Sequence, residues 1–197
     1  MITALAVLSG YLIGSIPTAG FLGRLRGVDL RAEGSGNPGT ANALRTSGVA
    51  LAAVVLAVEA TKGLAAVSTG DWLGDESGAI AAGLGAVAGN VYNVWYRLQG
   101  GKGLGISFGV LAGLWPVSLL PILVVMVAGV LVSRSAGIAS LVAISALIVS
   151  AILWASNGWS TGGVEPGARL VVLAVGIGLL MFWKHWRDSP LSSHVPR

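Results

Sequence analysis

Apolar residues in this chain fall in long runs separated by short polar stretches, and the runs predict the elements. The first run is Ile2 to Leu22, interrupted by Gly14-Ser15-Ile16-Pro17. A polar stretch from Arg24 to Thr46 separates it from a second run, Gly48 to Thr69, which carries Glu59 and Lys62 inside it. A short acidic loop, Asp71 to Glu76, leads to a third run, Gly78 to Trp95. An apolar helix needs about 20 residues to cross ~30 Å of hydrocarbon. Leu104 to Val132 is too long for one comfortable span and contains Pro116 and Pro121, so it divides at Trp115-Pro116 into a short segment and a longer one. Ala136 to Ala155 and Leu170 to Trp183 follow. The pattern predicts an all-α, polytopic integral membrane protein of about seven transmembrane helices, with residues 1–197 forming a single membrane domain.

Composition narrows the class further. Of the 197 residues, 54% are hydrophobic and 10% charged, against roughly 25% charged in soluble domains, and the mean hydropathy is +0.82. Too little polar sequence remains to coat a water-facing surface, which excludes a soluble enzyme, a secreted scaffold and a disordered tail. Cysteine is absent, which removes disulfides, thiolate nucleophiles and Cys-based zinc sites. With only His185 and His194, a His-rich metal cluster is excluded as well. Thirty glycines, roughly twice the average share of about 7%, suit helices that approach closely or break at sites.

The net charge of +4 would suggest nucleic acid in a soluble protein. In a membrane chain it reflects cytoplasmic loops facing anionic lipid, with no nucleic-acid partner. With the amino terminus outside and seven crossings, the inside cations are Arg24, Arg26, Arg31, Arg45, Arg97, Lys102, Arg134, Lys184, Arg187 and Arg197. The outside loops then hold Asp71, Asp75, Glu76 and Glu165, with Arg169 the basic exception. That is the bias of the positive-inside rule; a single span over Leu104 to Val132 would reverse the carboxy-terminal part. The expected carboxy terminus is therefore cytoplasmic. The first run lacks a basic leader and a small-residue cleavage site and is read as a retained span.

Two inside loops carry candidate chemistry. In Gly34-Ser35-Gly36-Asn37-Pro38-Gly39-Thr40-Ala41-Asn42-Ala43-Leu44-Arg45, small residues allow backbone N–H groups to converge on an anion. Ser35, Asn37, Thr40 and Asn42 add side-chain donors, and Arg45 a planar fork suited to phosphate. Gly100-Gly101-Lys102-Gly103 opens directly into an apolar helix, offering backbone donors, one point charge and a positive helix end. It is not a Walker loop, since no strand precedes it and no Gly-Lys-Ser/Thr is present. Either loop alone also reads as a flexible basic connector on anionic lipid; two on one membrane face favour phosphate.

Tyr11 to Pro17 (YLIGSIP), the Asp29-Leu30-Arg31 stretch, the SGNPG loop ending at Asn42 and Arg45, and the GGKG loop occur in this order along the chain. Over essentially its full length the sequence resembles the bacterial acyl-phosphate:glycerol-3-phosphate acyltransferases of the PlsY type. The resemblance implies a seven-helix protein of the bacterial cytoplasmic (inner) membrane with its active site on the cytoplasmic side. It implies transfer of a fatty acyl group from acyl phosphate to glycerol 3-phosphate, giving lysophosphatidic acid, without metal or other cofactor. Carried over residue by residue, it implies catalytic roles for Ser35, Arg45 and Lys102. Gly34, Gly36, Asn37, Gly39, Asn42, Gly100, Gly101 and Gly103 become phosphate-binding positions, and Asn90, Ser140 and His185 candidate substrate-binding ones.

The chain also departs from that pattern. Gly39-Thr40-Ala41-Asn42 stands for the family's Gly-Ala-Thr-Asn, Gly89-Asn90 for Gly-His, and Asn93 for a proline. Leu104-Gly105-Ile106 replaces Val-Ala-Thr, and Glu59-Ala60-Thr61-Lys62-Gly63 replaces Asp-x-x-Lys-Gly. Near the carboxy terminus only His185, Arg187 and Asp188 match in type, and Ser133-Arg134 with Ser140 preserve part of another segment. These changes leave open a paralogue with another acceptor or donor, or a catalytically silent regulator of lipid synthesis. A transporter of a phosphorylated compound is the reading from another class, but no inverted repeat is found.

Several residues have simpler readings. Glu59 and Lys62, three apart on one helical face, are favoured as a structural ion pair over direct catalysis. Gly14, Ser15 and Pro17 suit a kink and close helix contact. Trp72, Tyr92, Trp95, Tyr96, Trp115, Trp159, Trp183 and Trp186 fall near predicted span ends and read as interfacial anchors. His185 either reaches the site or is a solvated residue of a basic tail, and His194 has no assigned role.

Overall fold

The computed structural model describes residues 1–192, and all its regular structure is helical. Arg197 and His194 lie outside the described residues. The helices are α1 (Ile2–Ser15), α2 (Thr18–Leu25), α3 (Thr40–Val91), α4 (Leu104–Leu114), α5 (Leu119–Ser133), α6 (Ala136–Asn157) and α7 (Ala168–Arg187). Five helical stretches among the described residues are long and apolar enough to cross a membrane: Ile2–Leu25, Thr40–Tyr96, Pro116–Ser133, Ala136–Asn157 and Ala168–Arg187. The chain forms two compact units, Met1–Gly113 and a second beginning at Leu114.

In the first unit, the break between α1 and α2 falls at Ile16 and Pro17. Ile16 is extended (φ −56°, ψ 121°), as the residue before a proline prefers. The long α3 is not one rod. Backbone angles leave the helical region at Gly48 (φ 79°) and again at Gly74 and Asp75, where Asp75 has φ 53°. The second departure reverses the chain: a Cβ placed on Gly70 would strike the carbonyl of Gly78, and one on Gly78 the carbonyl of Gly70. Residues 49–73 and 76–91 are thus the two limbs of a helical hairpin. The acidic loop expected at Asp71 to Glu76 is a tight turn, because helix continues to within a residue of it on both sides. Helix also begins earlier than the apolar pattern suggests, at Thr40 instead of Gly48.

Small residues set how closely these helices pack. A Cβ on Gly10 or Gly14 of α1 would collide with the carbonyls of Ala82 or Ala86 in the second limb. Conversely, Gly85 and Gly89 face the carbonyls of Val7 and Tyr11. Two four-residue repeats of small side chains therefore lie face to face, the arrangement that lets backbones approach within a membrane. The first limb and α4 repeat the device, with Gly63 against the Ile106 carbonyl and Gly109 against that of Ala60. Leu30 and Ala43 are buried with Ala19, Leu51 and Val55, which seats the polar loop on α2 and the start of α3.

In the second unit, the break at Trp115 and Pro116 is present as a 3-10 turn, Pro116–Ser118, before α5. No residue of α5 is buried, and Leu120, Leu131 and Val132 are strongly exposed, as lipid-facing side chains would be. Helix α7 buries Leu170, Leu173, Ala174, Ile177, Gly178, Met181 and His185, one face at spacings of three and four. Trp115 corrects an expectation: it is 1% exposed and meets Trp154 edge-on at 5.8 Å, so it packs inside instead of anchoring at an interface.

Candidate active site

The two small-residue loops meet in the first unit. An open pocket is lined by Ile16 to Gly20 at the α1–α2 break, Pro38 of the first loop, Glu59 and Asn90 from the two limbs of the hairpin, Asn93 and Tyr96 beyond it, and Gly101 of the second loop. A Cβ on Gly101 would lie 3.5 Å from the Pro38 carbonyl oxygen, so the loops touch at the pocket wall.

Asn42, 1% exposed, organises the first loop. Its Nδ2 donates to the carbonyls of Leu30 (2.8 Å) and Glu33 (3.0 Å), and its Oδ1 accepts from the Ser35 amide (2.8 Å) and hydroxyl (3.1 Å). All its ordinary hydrogen-bonding capacity is engaged, so it shapes the loop and has no donor left to offer a phosphate. Gly34 is required by the same contact. Its φ of 60° is left-handed, and a Cβ there would collide with Asn42 Oδ1. The loop amides also turn inward: Gly36 donates to Glu33 O and Gly39 to Asn37 O.

The second loop hangs from the end of α3. Gly101 donates to the Asn90 carbonyl (2.9 Å) and Gly100 to that of Val91 (3.1 Å). Side chains at either glycine would strike Asn90, its main chain at Gly100 and its Oδ1 at Gly101. The expected convergence of backbone N–H groups on an anion is therefore not available at Ser35, Gly36, Gly39, Gly100 or Gly101, whose amides have acceptors within the chain. The cations are differently placed. Arg45 is exposed on the first turns of α3, with no partner among the described residues, and Lys102 is half-buried between Gly101 and the start of α4.

Behind the pocket lies a buried polar network. Lys62 Nζ sits 3.1 Å from both oxygens of Glu59, confirming the ion pair read from the sequence. The same ammonium donates to the Ile16 carbonyl at 2.8 Å. That carbonyl is at the end of α1, where Pro17 has no N–H to continue the helix, so the cation meets the negative end of the helix dipole. Glu59 also accepts from Thr18 Oγ1 (2.5 Å) and Asn90 Nδ2 (2.7 Å). Asn93 donates to the Ser15 carbonyl at 2.7 Å. Arg31 lies 4.2 Å over the ring of Tyr96 and donates to the Gln99 carbonyl at 3.4 Å.

Sequence reasoning did not single out Thr18, Asn93, Tyr96 or Arg31 as parts of a site. Only the Pro17 break hinted at Thr18, and nothing marked Tyr96 apart from the other aromatic residues. Ser140 and His185 belong to the second unit, on α6 and α7. Ser140 is fully buried, its hydroxyl donating to the Ala136 carbonyl at 2.8 Å. His185 is 1% exposed, so the reading of a solvated histidine in a basic tail is corrected: α7 continues through it and turns it inward.

Comparison with known proteins identifies the family. The sequence model described as glycerol-3-phosphate acyltransferase matches residues 4–190. A glycerol-3-phosphate acyltransferase of Agrobacterium fabrum is 38% identical over 183 residues, covering 92% of this chain and 84% of that protein. One of Rhodopseudomonas palustris is 40% identical over 186 residues, covering 93% and 88%. The crystal structure of PlsY, an integral membrane glycerol 3-phosphate acyltransferase, in its glycerol 3-phosphate form superposes with a TM-score of 0.78 at 26% identity, covering 94% of this chain and 89% of that one. With its apolar helices and these relatives, the chain is a multi-pass integral membrane acyltransferase and belongs to the glycerol-3-phosphate acyltransferase family.

Proposed function

We propose that this chain transfers a fatty acyl group from acyl phosphate to glycerol 3-phosphate in the bacterial inner membrane, releasing inorganic phosphate and lysophosphatidic acid. The observation that carries the reading is the meeting of two small-residue loops at one pocket, through Pro38 and Gly101, each loop carrying a cation, Arg45 or Lys102. Both substrates bear phosphate, so two cationic loops match two phosphates. Solved relatives named for a glycerol 3-phosphate form and a lysophosphatidic acid form support this acceptor and product.

In the reaction the acceptor's hydroxyl oxygen bonds to the acyl carbonyl carbon, and the bond from that carbon to the phosphate oxygen breaks. The hydroxyl proton leaves with the departing phosphate. Because phosphate is already a good leaving group, the protein's part is to position the reactants and stabilise developing negative charge. Arg45 and Lys102 supply that charge stabilisation, and Ser35, held against Asn42, borders the donor phosphate. The residues of the first loop set its shape more than they supply ligands. Ser140 and His185 are kept as candidate substrate-binding residues on the family resemblance.

The proposed topology counts each limb of the hairpin as one crossing and α4 as a short one, giving seven with the amino terminus outside. The positive-inside distribution of arginine and lysine supports that orientation. The family match spans 4–190, both compact units, which supports one functional domain. The test is turnover of acyl phosphate and glycerol 3-phosphate by purified protein, following phosphate release and lysophosphatidic acid together. Arg45→Ala and Lys102→Ala should each lower the rate by about 100-fold or more. Phosphate without the lipid would point to another acceptor, and neither product from folded protein to a silent regulator.

A further inference from the structure

We propose that Glu59 is a positioning residue for the acyl acceptor: it fixes the amide of Asn90 so that Asn90 Oδ1 is presented to the acceptor's hydroxyl group. This rests on the acyl-transfer reading above. Glu59 lines the pocket and is the obvious candidate for a general base, but its lone pairs are taken. An ionised carboxylate offers about four acceptor sites. Thr18 Oγ1 and Lys62 Nζ reach Oε1, while Lys62 Nζ and Asn90 Nδ2 reach Oε2. A carboxylate filled in this way has no acceptor site left to offer a substrate hydroxyl.

What it does is orient Asn90. A carboxylate can only accept, so the amide atom 2.7 Å from Glu59 is the nitrogen, and flipping the amide would set oxygen against oxygen. Asn90 Oδ1 is thereby directed toward Gly101, where a Cβ would come within 2.9 Å of it. That oxygen has no donor among the described residues, and both Asn90 and Gly101 line the pocket. An unengaged acceptor at a pocket wall matches an alcohol O–H. The accepted hydrogen bond holds the alcohol with its lone pair toward the acyl carbonyl; Asn90 takes no proton, which leaves with phosphate. Gly101 is needed because any side chain there would fill the place of this oxygen.

The test is steady-state kinetics of the full chain in detergent, varying acyl phosphate and glycerol 3-phosphate separately. Glu59→Gln and Asn90→Asp should each raise the KM for glycerol 3-phosphate about tenfold, with the KM for acyl phosphate changed by less than about twofold. The paired exchange, both substitutions together, restores a donor-to-carboxylate bond with the roles reversed and keeps one negative charge near Lys62. It should recover most of the acceptor KM. If Glu59→Gln alone does not fold, recovery of the pair relative to Asn90→Asp carries the test. The proposal is overturned if both substrates' KM values rise together, or if the pair is as poor as the two losses multiplied. A folded wild-type protein that makes no lysophosphatidic acid removes the acyl-transfer reading itself, an outcome distinct from either pattern among the variants.

Discussion

Each of the two loops at the pocket is held by an asparagine of α3, one near its first turn and one near its last. Asn42 closes the first loop with partners no more than 12 residues away. Asn90 holds the second loop through its own carbonyl, but its side chain answers to Glu59, 31 residues distant on the other limb of the hairpin. The first loop is therefore a local fold that needs little from the bundle. The second is a tertiary structure whose shape depends on the ion pair, the hairpin and the seat of the second limb on α1. A loop of the first kind is legible as a motif; one of the second kind is legible only in its glycines.

The contrast can be broken most forcefully at Lys62. Lys62→Ala leaves Glu59 charged, buried and without its cation, and should cost about 3–5 kcal/mol, read as a lowered unfolding midpoint in detergent. Among the folded fraction, amide exchange should rise around residues 99–103 and stay unchanged around 30–37. Asn42→Ala should do the reverse. It removes the partner of the Ser35 amide and of the Leu30 carbonyl and one of the two donors to the Glu33 carbonyl, at about 2–3 kcal/mol, and should loosen exchange at 30–37 together with a loss of phosphate release. Gly85→Val is expected to cost about 1–3 kcal/mol by forcing the second limb off the Val7 carbonyl, again affecting the second loop more than the first. The smallest effect belongs to Arg31→Lys, which loses the planar stack on Tyr96, about 0.5–1 kcal/mol. Its signature is that both loops should loosen slightly, since Arg31 precedes the first loop and Tyr96 the second.

Much of the fold was readable because long apolar runs leave a chain few choices. The break at Pro17, the division at Trp115-Pro116 and the extent of α6 all follow from proline chemistry and run length. The turn at Gly74 and Asp75 was masked because its charges resemble an ordinary loop, while the helical hydrogen bonding continues almost to its edge. The Glu59–Lys62 pair was visible from its spacing. Its link to Asn90 was not, because that link requires the hairpin to close in one register. The anchoring reading of Trp115 and the solvated reading of His185 fail for one reason: an amphipathic residue near a span end is placed by its neighbours, and sequence position alone does not reveal them.

The hairpin also behaves as a ruler. Glu59 and Asn90 lie equal numbers of residues from the two-residue turn at Gly74 and Asp75, so their bond forms only while both limbs keep the same length. One residue inserted into either limb would advance everything beyond it by about 1.5 Å and rotate it by about 100°. It would carry Asn90 off the pocket wall even though every helix stayed apolar and intact. Length variation in descendants of this chain should thus collect in the loop after α6 and at the ends, and spare the hairpin. An alignment of such sequences would show the limbs as a gapless block, a constraint imposed by one hydrogen bond far from the tip.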